Sequence, residues 1–118
     1  MKKMNFDKTL LEAVDHALLS FGESPRKAIY YHLGKNFKIQ KEDIPEETDK
    51  FTSALNAIFG SGATVIEKLI VRDLYQRLNI NFEEKSSFEI TDYISLAREV
   101  AKRDKQQELV RREKPRRK

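Results

Sequence analysis

Apolar residues recur at intervals of three and four in five stretches, and glycine, proline or clustered polar residues separate one stretch from the next. Phe6, Leu10, Val14, Ala17, Leu18 and Phe21 make the first stripe, with Asn5 placed to cap it and Gly22 to stop it. Ser24-Pro25 then supplies a cap followed by proline at the first helical position. A second helix follows to about Phe37, with Ile29, Leu33 and Phe37 on its apolar side. Pro45 and the acids of KEDIPEETD mark a connector ending in a Thr48 or Asp49 cap. The third helix carries Phe51, Leu55, Ile58 and Phe59 and closes at Gly60. Val65, Ile66, Leu69, Ile70, Leu74 and Leu78 give the fourth helix so wide an apolar face that it is expected at the centre, with Leu69 and Ile70 both in the core. The fifth carries Ile90, Tyr93, Ile94, Ala97, Val100 and Ala101. Ahead of it, Ile80, Phe82 and Phe88 of INFEEKSSF fit either a short extended piece or an anchored loop, the loop being favoured, and Ser86 with Glu89 matches a capping box opening the fifth helix. The pattern therefore predicts an all-α fold, a single compact bundle of about five helices with a basic C-terminal extension.

Beyond Ala101 nothing apolar continues the fifth stripe, which divides the chain into a helical domain over residues 1–101 and a charged, solvated helical tail over 102–118. Charge sharpens this division. From Arg98 to Lys118 there are ten basic residues and four acidic ones, whereas residues 1–97 hold thirteen and fifteen. The net charge of +4 thus belongs to the tail, and the body is slightly acidic. A chain of 118 residues buries roughly 65% of the surface its unfolded form exposes, enough to fold without staples. With no cysteine, disulfides, thiolate metal sites and cysteine nucleophiles are excluded. Asp7, Glu12 and Asp15 interrupt the N-terminus before any run apolar enough for a leader or a span, so a cytoplasmic location and no membrane contact are expected.

Turned at 100° per residue, the second helix places Lys27, Tyr31, Lys35 and Lys38 opposite its apolar side, while Tyr30 leans inward. Such a face can contact phosphates and stack a base, but lysine is also the ordinary filling of a solvated helix back. A helix-turn-helix reading fails because only Arg26 and Tyr31 are left to read bases. GSGATVIEK lacks the Lys-Ser/Thr pair of a P-loop, and its glycines fit one helix end and the next helix start. His16 and His32 lack a patterned carboxylate, and the acids of PEETD and FEE lie in wet connectors without a reason for a raised pKa. No enzyme, cofactor or metal site is expected.

The blocks FDKTLLEAVDHALLSFGESPRKAIYYHL, IPEETDKFTSALNAIFGSGATVIEKLIVRDLYQRL and FEITDYISLA, in that order, resemble a small archaeal family. It was formerly a domain of unknown function and is named as the fifth type of Nitrosopumilus output domain. The resemblance covers about residues 6–97 and omits the tail. It implies an output module attached to signalling proteins, and no functional residues carry over from it.

The expected function is that of a non-catalytic regulatory output or protein-interaction module with an unknown protein partner. A homodimer through the broad fourth helix is expected at Val71 and Tyr75. The alternative is non-specific nucleic-acid binding through Arg111, Arg112, Arg116, Arg117 and Lys118 of the tail and the outer face of the second helix. A third class, small-ligand binding between helices, has no pocket evidence in the sequence.

Overall fold

The computed structural model describes residues 6–113, with side chains for 6–103. All five apolar stripes are α-helices: α1 (Phe6–Leu19), α2 (Glu23–Phe37), α3 (Thr48–Phe59), α4 (Ala63–Arg77) and α5 (Ile90–Glu113). Two 3₁₀ turns, Lys41–Glu46 and Gly60–Gly62, lead into α3 and α4, and the described residues contain no strand.

α4 packs most extensively against α1. His16 meets Asp73 at 3.2 Å, and one turn back along α1 Glu12 meets Arg77 one turn further along α4, at 3.1 Å, so the two helices run antiparallel. Beneath these polar contacts lie Leu10, Val14 and Leu18 from α1 and Ile66, Ile70 and Leu74 from α4, all buried. Phe51 and Leu55 of α3, Leu33 of α2 and Ile44 of the first 3₁₀ turn complete this layer. α5 adds Ile90, Tyr93, Ile94 and Ala97.

The prediction that α4 is central holds, but one of its two core residues does not. Ile70 is fully buried, whereas Leu69 is 39% exposed. A rotation of 100° separates neighbouring residues, and the buried arc of α4 runs through Ile66, Ile70, Leu74, Val71 and Tyr75, leaving Leu69 on its outer edge and Val65 outside it. Apolar residues cover more of this helix than the core can accept.

The helix boundaries also differ locally. α2 opens at Glu23 behind Gly22, which takes a φ of 114° that a side chain would strain, so Ser24 is not the cap and Pro25 is the third helical residue. Thr48 is the first residue of α3 and not its cap. The capping box falls three residues later than Ser86. The backbone N–H of Glu89 donates to the Asp92 carboxylate at 2.8 Å, and α5 begins at Ile90. α4 ends with Asn79 at a φ of 60° and with the Ile80 N–H donating to the Tyr75 carbonyl, six-to-one geometry that halts the helix and starts the loop.

That loop is anchored, as expected. The Tyr93 hydroxyl accepts from the Lys85 N–H at 2.8 Å and donates to the Lys85 carbonyl at 3.2 Å, while the Tyr75 hydroxyl donates to the Tyr93 carbonyl at 2.7 Å. The rings of Phe82 and Phe88 pack on Tyr93 at centroid distances of 5.4 and 5.1 Å. Arg98 ties α5 to the other end of the bundle, donating to Asp7 of α1 and to the Pro45 carbonyl, each at 3.1 Å, and lying over the Phe6 ring. Ala101 is half-buried, and Lys102 and Arg103 are exposed.

Thr48–Arg77 taken as one stretch has the length and apolarity of a bilayer-crossing segment, with a mean hydropathy of 1.4 in its most apolar window. It breaks at Gly60 into helices of 12 and 15 residues, each shorter than the roughly 20 that a span needs and each with one side in the core.

α1, α2 and the first 3₁₀ turn are clamped at Asp15. Its carboxylate accepts from Arg26 at 2.8 and 3.0 Å and from the Tyr30 hydroxyl at 3.0 Å, with the Lys41 ammonium 3.5 Å away. Partial burial pushes this carboxyl up, but the hydrogen bonds from Arg26 and Tyr30 and the charges of Lys41 and Arg26 outweigh it and hold it below its ordinary value of 3.8. Burial, and then the same contact, push the Tyr30 hydroxyl far up. A depressed carboxyl stabilises the fold fully above its unfolded value, and the contribution is lost as pH falls through the folded one. Asp15→Asn is therefore expected to cost about 1 to 3 kcal/mol at neutral pH. In urea denaturation the gap from the native chain should narrow as pH drops below 3.8, the ordinary value.

Candidate functional site

The outer face of α2 forms as its spacing predicts. Lys27, Tyr31, Lys35 and Lys38 are all exposed, and Tyr31 is 61% so. The Lys35 ammonium lies 5.6 Å from the centre of the Tyr31 ring, four residues back along the helix. Lys38 ends the helix in the left-handed conformation at a φ of 57°, which turns the chain away after the face is complete. Tyr30 leans in, as predicted, and its hydroxyl is committed to Asp15. The structure therefore brings together four of the sequence-predicted nucleic-acid residues. The other five belong to the tail: the side chains of Arg111 and Arg112, and all of Arg116, Arg117 and Lys118, lie outside the described residues.

His16 and His32 are not brought together. His16 bridges to Asp73 on α4, whereas His32 takes Asn36 as its partner at 3.0 Å on the solvent side of α2.

The self-association surface expected at Val71 and Tyr75 does not form. Each is only 2% exposed, because the loop after α4 and the start of α5 fold over that edge of the helix. Tyr75 spends its hydroxyl on the Tyr93 carbonyl and packs edge-on against Phe82 at 5.5 Å. The breadth of α4 that prompted this expectation is real, but its surplus emerges on the opposite edge. Val65 is 60% exposed and Leu69 39%. On α1, Glu12, His16 and Leu19 follow one another at intervals of four and three, and Leu19 is 42% exposed. Glu12 and His16 contact Arg77 and Asp73, so the next turn of the antiparallel pair sets Leu19 beside Leu69, with Val65 one turn beyond. The α1/α4 seam is thus polar at one end and apolar at the other, and exposed Phe21 follows Leu19 in the connecting turn. Sequence reasoning missed Leu19 and Val65 for different reasons: Val65 fits the apolar stripe of the fourth helix, whereas Leu19 lies outside the stripe of the first. Rotating α4 about the Ile66–Ile70–Leu74 line would have put Val65 outside.

No family model matches this chain, and no curated protein matches it. The output-domain resemblance therefore stands on the sequence blocks alone. Among solved structures, the crystal structure of PH0832 from Pyrococcus horikoshii OT3 is similar, with a TM-score of 0.68 and 21% sequence identity, over 81% of this chain and 97% of that one. At this identity the likeness is one of fold.

Proposed function

We propose that the protein is a non-catalytic interaction module, of the regulatory-output kind that the sequence resemblance implies, and that its working surface is the apolar end of the α1/α4 seam. The observation that carries this reading is the exposure of Leu19, Val65 and Leu69 on neighbouring turns of two antiparallel helices, in a chain whose other large aliphatic side chains are mostly buried. The occupant proposed for the seam is a second copy of this chain, since a two-fold axis near Leu69 lays each apolar patch on its own equivalent. In sedimentation equilibrium, the native chain should pass from its monomer mass of 13.8 kDa toward twice that value, with a dissociation constant of about 100 μM, and Leu69→Glu should remain monomeric. A native chain that stays at the monomer mass well above that concentration overturns the second copy as occupant.

A second reading, electrostatic nucleic-acid binding, is favoured by one specific observation: Lys27 and Lys38 have no carboxylate partner among the described residues and share an exposed face with Lys35 and Tyr31. Contacts of this kind are phosphate-directed and independent of base sequence. If α2 carries them, replacing Lys27, Lys35 and Lys38 by Gln should flatten the slope of log affinity for duplex DNA against log salt by about 3. An unchanged slope, with binding abolished by truncation after Lys105, assigns the contacts to the tail instead. No binding at low salt removes the reading.

A further inference from the structure

α3, the first half of α4, the loop after it and the start of α5 enclose a cleft of about 450 Å³, within the usual range for small-molecule sites. One wall is aromatic, made by half-buried Phe82 and Phe88 over Tyr93. The facing wall is polar and rich in acceptors. Asn56 spends its amide N–H groups on the Thr52 carbonyl at 2.9 Å and on one Glu67 oxygen at 3.4 Å, which leaves its own carbonyl and the second Glu67 oxygen unspent.

The ionisable groups lining the cleft are Glu67, Glu84, Glu89, Lys68, Lys85 and Tyr93. Lys68 is neutralised by Glu84 at 2.7 Å, and Lys85 lies 3.5 Å from Glu83 just outside. Tyr93 is committed to the Lys85 backbone. Glu67 and Glu89 remain as uncompensated negative charges. Burial first, and then the Glu89 charge, push the Glu67 carboxyl up, against the Asn56 hydrogen bond that lowers it. An anion would meet two lysines already paired and, at the Phe82 edge, Arg72, whose charge acts on Glu84, whereas a cation at Glu67 and Glu89 would relieve the opposition between those two carboxylates.

We propose that this cleft is a binding site for a small organic cation, a primary ammonium on an aromatic or aliphatic body, with the ammonium on Glu67, Asn56 and Glu89 and the body against Phe82 and Phe88. The chain already places its own cations on these rings: Arg72 lies 5.6 Å from the Phe82 centroid and Lys85 5.8 Å from that of Phe88. The site is separate from the α1/α4 seam and from the outer face of α2, and it stands whichever of these binds a macromolecule.

The probe is 2-phenylethylamine, with 2-phenylethanol as its neutral counterpart, followed through the aromatic proton resonances of Phe82, Phe88 and Tyr93. The amine should produce saturable shifts with a dissociation constant of about 1 mM, as befits a ligand of this size. Glu67→Gln, which keeps the shape and the acceptor for Asn56, should weaken the amine about tenfold, and Glu89→Gln should weaken it by a smaller factor. The alcohol should bind at least tenfold less tightly than the amine. Equal binding of alcohol and amine, undiminished binding by Glu67→Gln with an unchanged thermal transition, or no shift with the amine each overturns the proposal.

Discussion

The antiparallel packing of α1 on α4 is the constraint from which the rest of the molecule follows. Leu10, Val14 and Leu18 face Ile66, Ile70 and Leu74 across it, and all six are buried. In a chain this short, one well-packed helix pair must supply much of the apolar burial, because the surface is large relative to the volume. The remaining elements are laid on that pair and tied to it by a few polar contacts: α2 and the first 3₁₀ turn at Asp15, α5 at Arg98 and at Tyr75. These contacts fix orientation more than they add stability, since each gives up hydration to form.

The same packing decides where the surfaces fall. α1 covers one side of α4, while α5 and the anchored loop cover the next, which takes Val71 and Tyr75 out of reach. What remains uncovered is the outer edge, with Val65 and Leu69, and the antiparallel register that pairs His16 with Asp73 puts exposed Leu19 on the same side one turn on. The cleft arises on the far side of α4 for a related reason. The Tyr75, Phe82, Phe88 and Tyr93 rings hold the loop away from α3, and Glu67 and Asn56 are left lining the space between.

Helix identity and order were legible because each stripe is long, periodic and bounded by Gly22, Pro45, Gly60 or a polar run. The outer face of α2 was legible for the same reason, since a rotation of 100° per residue sorts Lys27, Tyr31, Lys35 and Lys38 without reference to any other element. The sides of α4 were not. Its apolar residues span most of the circumference, so which of them is buried depends on where α1 and α5 lie, information that is tertiary. Leu69 and Val71 exchange roles on that account. The start of α5 was misplaced because Ser86-x-x-Glu89 and Glu89-x-x-Asp92 both offer cap-like spacing, and the aromatic anchoring of residues 82–88 selects the second. The cleft was invisible because Asn56, Glu67 and Glu89 are brought together from three separate elements.

Adjacent residues of α4 provide the most direct measurement, since Leu69 and Ile70 are equally apolar and differ only in which way the α1/α4 packing turns them. In urea denaturation at a protein concentration too low for self-association, Ile70→Ala should lower stability by about 2 to 5 kcal/mol through the cavity it leaves, while Leu69→Ala should cost less than about 1 kcal/mol. Equal losses, or a larger loss at Leu69, would contradict the packing of α1 on α4 from which the core and the apolar seam are derived.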